Sequence, residues 1–230
     1  LTRDARNELI NNFNQIDNKI NIIPTCGDHN QFQISDNKYF QKELGLCHVG
    51  TIGTRYDIDF TLNFFKTLNT NIKSKILFLN KNERKFIINK CKHYNLDESD
   101  YEIKDVEYFE IQNYINRFDF IIFFPKKGYY TKGFFPTKIA ESLLSGVPII
   151  TNKINIHLDK IISDYDLGIK ISSDFQKNSE VLIKDLLNFR KVHSSQNLRK
   201  FAVSNLSINF AINKYDNIYS ELLDEKWIKK

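Results

Sequence analysis

The chain of 230 residues has no methionine, a single tryptophan and only four prolines. Its three cysteines, Cys26, Cys47 and Cys91, show no C-x-x-C spacing, so we expect reduced thiols and a cytoplasmic location. The longest apolar run, residues 118–125, is too short to span a bilayer, and the first residues do not resemble a secretory signal. Because the sequence starts at Leu1 and lacks methionine altogether, we expect it to be a fragment of a longer protein.

The charge of the chain is spread out rather than concentrated. The net charge is +5, from 33 Lys and Arg against 28 Asp and Glu that are mixed along the whole length. Such a surface attracts phosphates or anionic lipid weakly and gives no basis for predicting nucleic-acid binding. Trp227 and the lysines around it fit either a peripheral contact with the inner face of the membrane or packing on another domain, and the sequence leaves both readings open.

Short apolar runs alternate with stretches of helical periodicity over most of the chain. Continuous apolar strands separated by helices are typical of a parallel sheet that is covered on both faces. The pattern therefore predicts a doubly wound α/β fold with a six-stranded, mostly parallel sheet and C-terminal helices that fold back across one edge. The predicted strands are 46–49, 76–79, 101–106, 120–124, 147–150 and 167–171, and the predicted helices are 57–69, 82–95, 108–117, 136–145 and 155–164.

The two ends of the chain differ from this alternating region. Residues 3–16 have helical spacing, and INIIPTCGDHNQF (20–32) is interpreted as a short strand broken by Pro24. From about residue 177 onward the pattern is helical throughout, which predicts a C-terminal helical extension.

The loop HVGTIGTRYD (48–57) lies between a predicted strand and a predicted helix. In a doubly wound sheet, ligands bind beyond the carboxyl ends of the strands, where such loops meet. Gly50 and Gly53 allow the backbone to approach a ligand closely, Thr51 and Arg55 add donors, and free amides at the next helix start favour an anion. The same glycines also suit an ordinary strand-to-helix turn, so this loop alone does not define a site.

A second loop and helix lie in KGFFPTKIAESLLSGVPIITN, residues 132–152. Pro136 suits the first turn of a helix, and Gly146 suits its end. Lys138 and Glu141 are three residues apart and share one face at the ligand-side end of this helix. The lysine and the helix amides suit a phosphate, and the carboxylate suits the hydroxyl groups of a ribose. Taken alone, the same spacing is also that of a solvated ion pair.

Four segments occur in a recognisable order: INIIPTCGDHNQF, HVGTIGTRYDIDFTLNFF, FPTKIAESLLSGVPIITN and YDLGIKI. This order resembles the nucleotide-sugar-binding half of retaining GT-B glycosyltransferases, and within them the group 1, family 4-like enzymes of bacterial surface-polysaccharide synthesis. The resemblance covers about residues 20–175. It implies three parts: 1–18 as the end of a preceding domain or a linker helix, 19–175 as a Rossmann-like nucleotide-sugar-binding domain, and 176–230 as a C-terminal helical extension.

The resemblance also implies roles for individual residues. Glu141 matches the family's second motif glutamate, which binds the nucleotide ribose, and the family's first motif glutamate would fall at Gly133, where it is absent. Lys132 or Thr131 is therefore expected to shape the sugar site instead, and Arg55 is the guanidinium nearest to the place where many relatives have an arginine. The implied donor-binding residues are Thr137, Lys138, Glu141, Gly50, Thr51, Gly53, Arg55 and Lys132.

The activity implied by the resemblance is a metal-independent, retaining transfer of a hexose, without a cofactor, from a nucleotide-sugar donor to a glycan or lipid-linked acceptor. Helix amides and fixed cations would stabilise the negative charge that develops on the diphosphate leaving group. The acceptor-side groups would come from the first GT-B domain, which this chain lacks, so the fragment is expected to be inactive alone. Two alternatives remain: a GT-B-like nucleotide-sugar epimerase, and a non-catalytic nucleotide- or sugar-binding module, which Gly133 makes conceivable.

Overall fold

The computed structural model describes residues 2–13, 19–37, 39–40 and 42–228, with side chains of the last helix described as far as Leu223. Six strands form a single sheet in which every neighbouring pair is parallel. The predicted doubly wound α/β fold is therefore confirmed. The strands are β1 Leu44–Val49, β2 Ser74–Leu79, β3 Tyr101–Lys104, β4 Phe120–Ile122, β5 Ile149–Asn152 and β6 Gly168–Ile171, in the spatial order β3-β2-β1-β4-β5-β6.

Helices connect the strands, precede the sheet and follow it. The helix that precedes the sheet is α1 Arg3–Asn12; residues 14–16, predicted to continue it, lie outside the described residues. The connecting helices are α2 Ile58–Asn71, α3 Arg84–His93, the short α4 Gln112–Ile115, α5 Thr137–Leu144 and α6 Ile156–Asp164. The C-terminal helices are α7 Ser179–Val192, α8 Ser195–Leu206 and α9 Ile208–Ile228.

Successive side chains of a strand point to opposite sides of a sheet, and the four central strands are buried on both sides, whereas the edge strands β3 and β6 are partly exposed. In β1, Cys47 and Val49 pack with α5, α6 and α8, whereas Leu44 and Leu46 pack with α2, α3 and α7. Consecutive helices α7 and α8 thus lie on opposite faces of the sheet. The chain crosses from one face to the other near the amino ends of β4 and β5, where Arg190 pairs with Asp119 and Ser195 lies against Gly146.

The predicted strand within 20–32 is wrong, because residues 20–26 pair with no strand. Pro24 has no amide hydrogen to donate to a ladder, and the segment runs beside helices rather than beside the sheet. Gly27 instead exchanges backbone hydrogen bonds with the junction of α8 and α9, donating to Leu206 O at 2.9 Å and accepting from Ile208 N at 3.0 Å. The predicted helix 108–117 is also interrupted: it consists of a 3-10 turn, Tyr108–Glu110, and the short α4.

No helix within the described part of the chain is both long and apolar enough to cross a bilayer. The side chain of Trp227, for which two readings were open, lies outside the described residues.

Candidate functional site

The connections diverge between β1 and β4, which are neighbours at the centre of the sheet. After β1 the chain moves outward to β2, and after β4 it moves outward in the other direction to β5. The carboxyl ends of two such strands border a crevice, which is where ligands bind in doubly wound sheets. The loops that carry the predicted donor-binding residues follow these two strands.

The two loops are joined to each other at the crevice. Tyr56 and Pro125 form an isolated antiparallel bridge. The backbone amide of Lys126 donates to Arg55 O at 2.9 Å, and its ammonium group donates to Gly53 O at 2.6 Å. These contacts join the glycine loop, residues 50–57, to the loop after β4.

The ammonium group of Lys138 lies at the bottom of this crevice. Its Nζ donates to the carbonyl of Val49 at 2.6 Å and lies 3.7 Å from the centroid of the Tyr56 ring. A side chain at position 50 would begin 3.7 Å from this Nζ, so Gly50 leaves that approach free. Burial lowers the pKa of Lys138 to about 7, although Glu141 acts in the opposite direction. Lys138 therefore changes its charge close to neutral pH.

Glu141 lies one turn further along α5 and is 3% exposed, so the pair is not a solvated surface ion pair. Its Oε1 accepts a hydrogen bond from the Tyr108 hydroxyl at 2.8 Å. Burial raises the pKa of Glu141, while the Tyr108 hydrogen bond and the charge of Lys138 lower it. A buried carboxylate beside a buried amine is the kind of arrangement that binding and catalytic sites use.

Tyr108 is a residue that the sequence reasoning missed. It begins the 3-10 turn after β3, where Glu107 N donates to the Glu110 side chain at 2.9 Å. Its position in the sequence could have identified it, because a residue shortly after β3 lies at the same carboxyl edge of the sheet as the other loops.

Two further missed residues, Asn80 and Glu83, hold the glycine loop from the side of β2. Asn80 Nδ2 donates to Gly50 O at 3.0 Å, and the amide of Ile52 donates to Glu83 Oε2 at 2.8 Å. Asn80 comes directly after β2, so its position in the sequence could have identified it. Because the amide of Ile52 is already bound to a carboxylate, the loop presents fewer free donors than expected.

The starts of the two helices differ in their capacity for an anion. At the start of α2 the Asp57 carboxylate accepts from Phe60 N at 3.0 Å, so negative charge is already present there. The start of α5, at Thr137, has no hydrogen bond from a capping side chain among the described residues. An anion is therefore better accommodated at α5, next to Lys138, than at α2.

The remaining predicted residues divide into two groups. Gly53 lies in the glycine loop, where its carbonyl accepts from Lys126, and Thr51, Arg55 and Thr137 are exposed near the crevice. Lys132 is instead drawn toward α1, where its Nζ lies 2.6 Å from Glu8 Oε2. The structure therefore brings Lys138, Glu141 and Gly50 together, places the three exposed residues around them, and pairs Lys132 with an acid outside the crevice.

The helix α1 also covers the position of the absent motif glutamate. Glu8 accepts from the Tyr129 hydroxyl at 3.0 Å, and a side chain added at Gly133 would meet Ala5 Cβ at 3.8 Å. The Thr2 hydroxyl donates to the carbonyl of Lys132. The 3-10 turn Tyr129–Gly133 is thus packed against α1.

Comparisons with known proteins place this geometry in context. No protein-family profile matches the sequence, and no curated protein matches it. A glycosyltransferase from Rickettsia africae is 14% identical with a TM-score of 0.74, covering 96% of this chain and 62% of that chain. TarM of S. aureus, solved with UDP, is 18% identical with a TM-score of 0.67, covering 95% of this chain and 43% of that chain.

A third structure is the C-terminal domain of LpcC, a glycosyl transferase group 1 family protein of Francisella tularensis. It is 16% identical with a TM-score of 0.57, covering 79% of this chain and 99% of that domain. The chain thus spans less than two thirds of the first two proteins and nearly all of this isolated domain. The similarity lies in the arrangement of a parallel six-stranded sheet and its flanking helices. The chain therefore has a Rossmann-like fold of the kind found in GT-B glycosyltransferases.

Proposed function

We propose that this chain is the donor-binding domain of a GT-B glycosyltransferase and takes a nucleotide sugar at the carboxyl ends of β1 and β4. The observation that carries the proposal is the buried pair of Lys138 and Glu141, which lies at this crevice on α5. Burying two ionisable groups costs free energy that a purely structural helix would avoid with apolar residues. A function at the crevice accounts for their presence.

The diphosphate of the donor would bind between Gly50 and the start of α5. Lys138 offers a positive charge there. The free amides in the first turn of α5 lie at the positive end of the helix dipole, which favours a bound anion. A bound phosphate favours the charged form of Lys138, so it would raise the pKa that burial holds near 7. As the bond to the sugar breaks, the same groups would stabilise the charge that develops on the leaving diphosphate.

Glu141 would accept hydrogen bonds from the ribose hydroxyl groups. A carboxylate has about four lone-pair sites on its two oxygens, so it can accept from two ligand hydroxyls while it keeps Tyr108 as a partner. Hydrogen bonds to a charged group are about twice as strong as those between neutral groups. This contact would recognise a nucleoside irrespective of its base.

The finer assignment follows the family resemblance: a retaining, metal-independent hexosyltransferase of surface-polysaccharide or glycoconjugate synthesis, acting in the cytoplasm or at the inner face of the membrane. It is supported by TarM, which was solved with UDP, and by LpcC, named as a group 1 family protein. The acceptor would be a glycan or a lipid-linked glycan.

A second GT-B domain would complete the enzyme. The last helix, α9, is consistent with this, because its large exposed apolar side chains recur at intervals of three and four residues on one face. Such a stripe is typical of a helix that packs on another element. The members of this stripe are Ile208, Ile212, Tyr215, Tyr219 and Leu222, and Leu223 is exposed beside it.

A non-catalytic binding module is the second candidate, and a specific observation favours it. Gly133 replaces the motif glutamate, and Lys132 is paired with Glu8 rather than directed at the crevice. Such a module would bind the nucleotide as predicted for the enzyme but would support no sugar transfer when the complete polypeptide is assayed.

The binding site is tested by calorimetric titration of the chain with UDP, GDP and ADP, and then with the nucleoside of the one that binds most tightly. Lys138→Ala should weaken binding of that nucleotide while it barely changes binding of the nucleoside, and Glu141→Ala should weaken binding of both. Each substitution should reduce the free energy of binding by about 1.5–3 kcal/mol, or roughly ten- to a hundredfold in Kd. The exposed Lys153→Ala serves as the control for loss of a positive charge. If both variants bind both ligands as the wild type does, the proposal is wrong.

A further inference from the structure

The contact between Tyr108 and Glu141 joins an exposed residue to a buried one. Tyr108 is 59% exposed, yet its hydroxyl reaches a carboxylate that is 3% exposed. Its neighbour Phe109 is 66% exposed and lies in the same 3-10 turn. A surface tyrosine gains little from packing in such a position, so its hydrogen bond to Glu141 is the interaction that distinguishes it from Phe109.

We propose that Tyr108 is a positioning residue for the ribose site: its hydroxyl fixes the Glu141 carboxylate so that the remaining lone pairs face the ligand. The inference rests on the proposed function of Glu141. Without this donor the carboxylate could rotate about its terminal torsion, which is soft for glutamate. It would then have to be ordered when the ligand binds, and that ordering reduces affinity.

The Tyr108 hydroxyl has a second role, which follows from the charged groups around Tyr108 and Glu141. Burial raises the pKa of Glu141, and the Tyr108 hydrogen bond and Lys138 lower it. Tyr108 itself remains a donor at neutral pH, because burial and the charges of Glu141 and Asp28 raise its pKa to about 12. Tyr56, in the glycine loop, also faces Glu141. Burial chiefly, together with the charge of Glu141, raises the pKa of Tyr56 to about 12. Tyr108 thus helps to keep Glu141 in the ionised form that accepts hydrogen bonds.

The test compares ribonucleotides with analogues that lack the ribose hydroxyls. UDP, GDP and ADP are titrated first, and the one that binds most tightly is compared with its 2′,3′-dideoxy analogue at pH 6, 7 and 8. The proteins are the wild type, Tyr108→Phe, Glu141→Gln and Tyr94→Phe. The last is a matched control, because the Tyr94 hydroxyl also donates to a carboxylate, Asp59 Oδ1 at 3.1 Å, on the surface between α2 and α3.

The wild type should prefer the ribonucleotide, and Tyr94→Phe should show the same preference. Tyr108→Phe should reduce the preference about three- to tenfold at pH 7. The reduction should be larger at pH 6 than at pH 8, because loss of the hydroxyl raises the pKa of Glu141 and lower pH then favours the protonated form. A purely structural role of Tyr108 would not produce this dependence on pH or on the ribose hydroxyls.

The outcomes separate this inference from the proposed function. If the wild type and Glu141→Gln have equal preference, or no nucleotide binds, the proposed role of Glu141 fails and this inference fails with it. If Glu141→Gln loses the preference but Tyr108→Phe keeps it at every pH, only the role of Tyr108 is overturned.

Discussion

At the scale of single residues, the environment of Lys138 has a consequence for stability as well as for binding. Its ammonium group is enclosed by the Val49 carbonyl and the Tyr56 ring, and burial lowers its pKa from 10.5 to about 7. In the unfolded chain the same group would keep a pKa near its ordinary value. Between these two pKa values the unfolded state binds more protons than the folded state, so this residue makes stability rise with pH.

We therefore expect the free energy of unfolding of the wild type to rise relative to that of Lys138→Met between pH 7 and pH 9. The difference should change by about 2 kcal/mol, since each pKa unit corresponds to about 1.4 kcal/mol. Urea unfolding at the two pH values measures it. Lys153→Met, at an exposed position, should show no such change relative to the wild type. Parallel pH dependence of the wild type and Lys138→Met would contradict the lowered pKa.

At the scale of elements, the glycine loop depends on backbone conformations that other residues rarely adopt. Gly50 has φ +91° and Gly53 has φ +95°, both in the left-handed region. The loop is held in this shape from outside, by Asn80 on the carbonyl of Gly50 and by Glu83 on the amide of Ile52. Its conformation is therefore a property of the contact between the ends of β1 and β2.

Gly50→Ala should destabilise the chain by about 1–2 kcal/mol, because a Cβ is unfavourable in the left-handed region. It should also weaken nucleotide binding, because the new methyl group would lie 3.7 Å from Lys138 Nζ and occupy the approach to it. Gly133→Ala is the control for stability: no positive φ applies there, and the nearest atom to the added Cβ would be at 3.8 Å. Its free energy of unfolding should stay within about 0.5 kcal/mol of the wild type. Equal stability of the two variants would show that Gly50 carries no conformational strain.

At the scale of the whole molecule, the crevice is formed by the loops of one sheet in the described part of the chain. The described residues place a cation, a carboxylate and a helix start at the ends of β1 and β4. In the proposed enzyme, a facing domain would supply the groups that bind the acceptor.

We expect the purified chain to bind a nucleotide without transferring sugar. Thermal shift with UDP, GDP and ADP should reveal binding, because a ligand that binds only the folded state raises the Tm. Radiolabelled nucleotide sugars incubated with glycan acceptors should yield no labelled product. Product formed by this chain alone, absent from Glu141→Gln, would disprove the need for a second domain.

The sequence by itself determined the class of the fold and the approximate position of its strands. Apolar runs that alternate with helical periods have few arrangements other than a covered parallel sheet, because both faces of each strand must be buried. The same reasoning placed Gly50, Lys138 and Glu141 at the carboxyl edge. It failed at 20–32, where apolar residues pack beside helices. A local apolar pattern predicts that a segment is buried but does not say which element covers it.

Only the tertiary structure decided which groups meet. Tyr108 is 33 residues from Glu141 along the chain, and Lys132 is 124 residues from Glu8. Neither contact follows from spacing within one element, because each joins elements whose separation is set by the packing of the sheet and its helices. Burial of Lys138 and Glu141 was likewise decided by packing, since the same three-residue spacing on an open helix would leave both side chains in water.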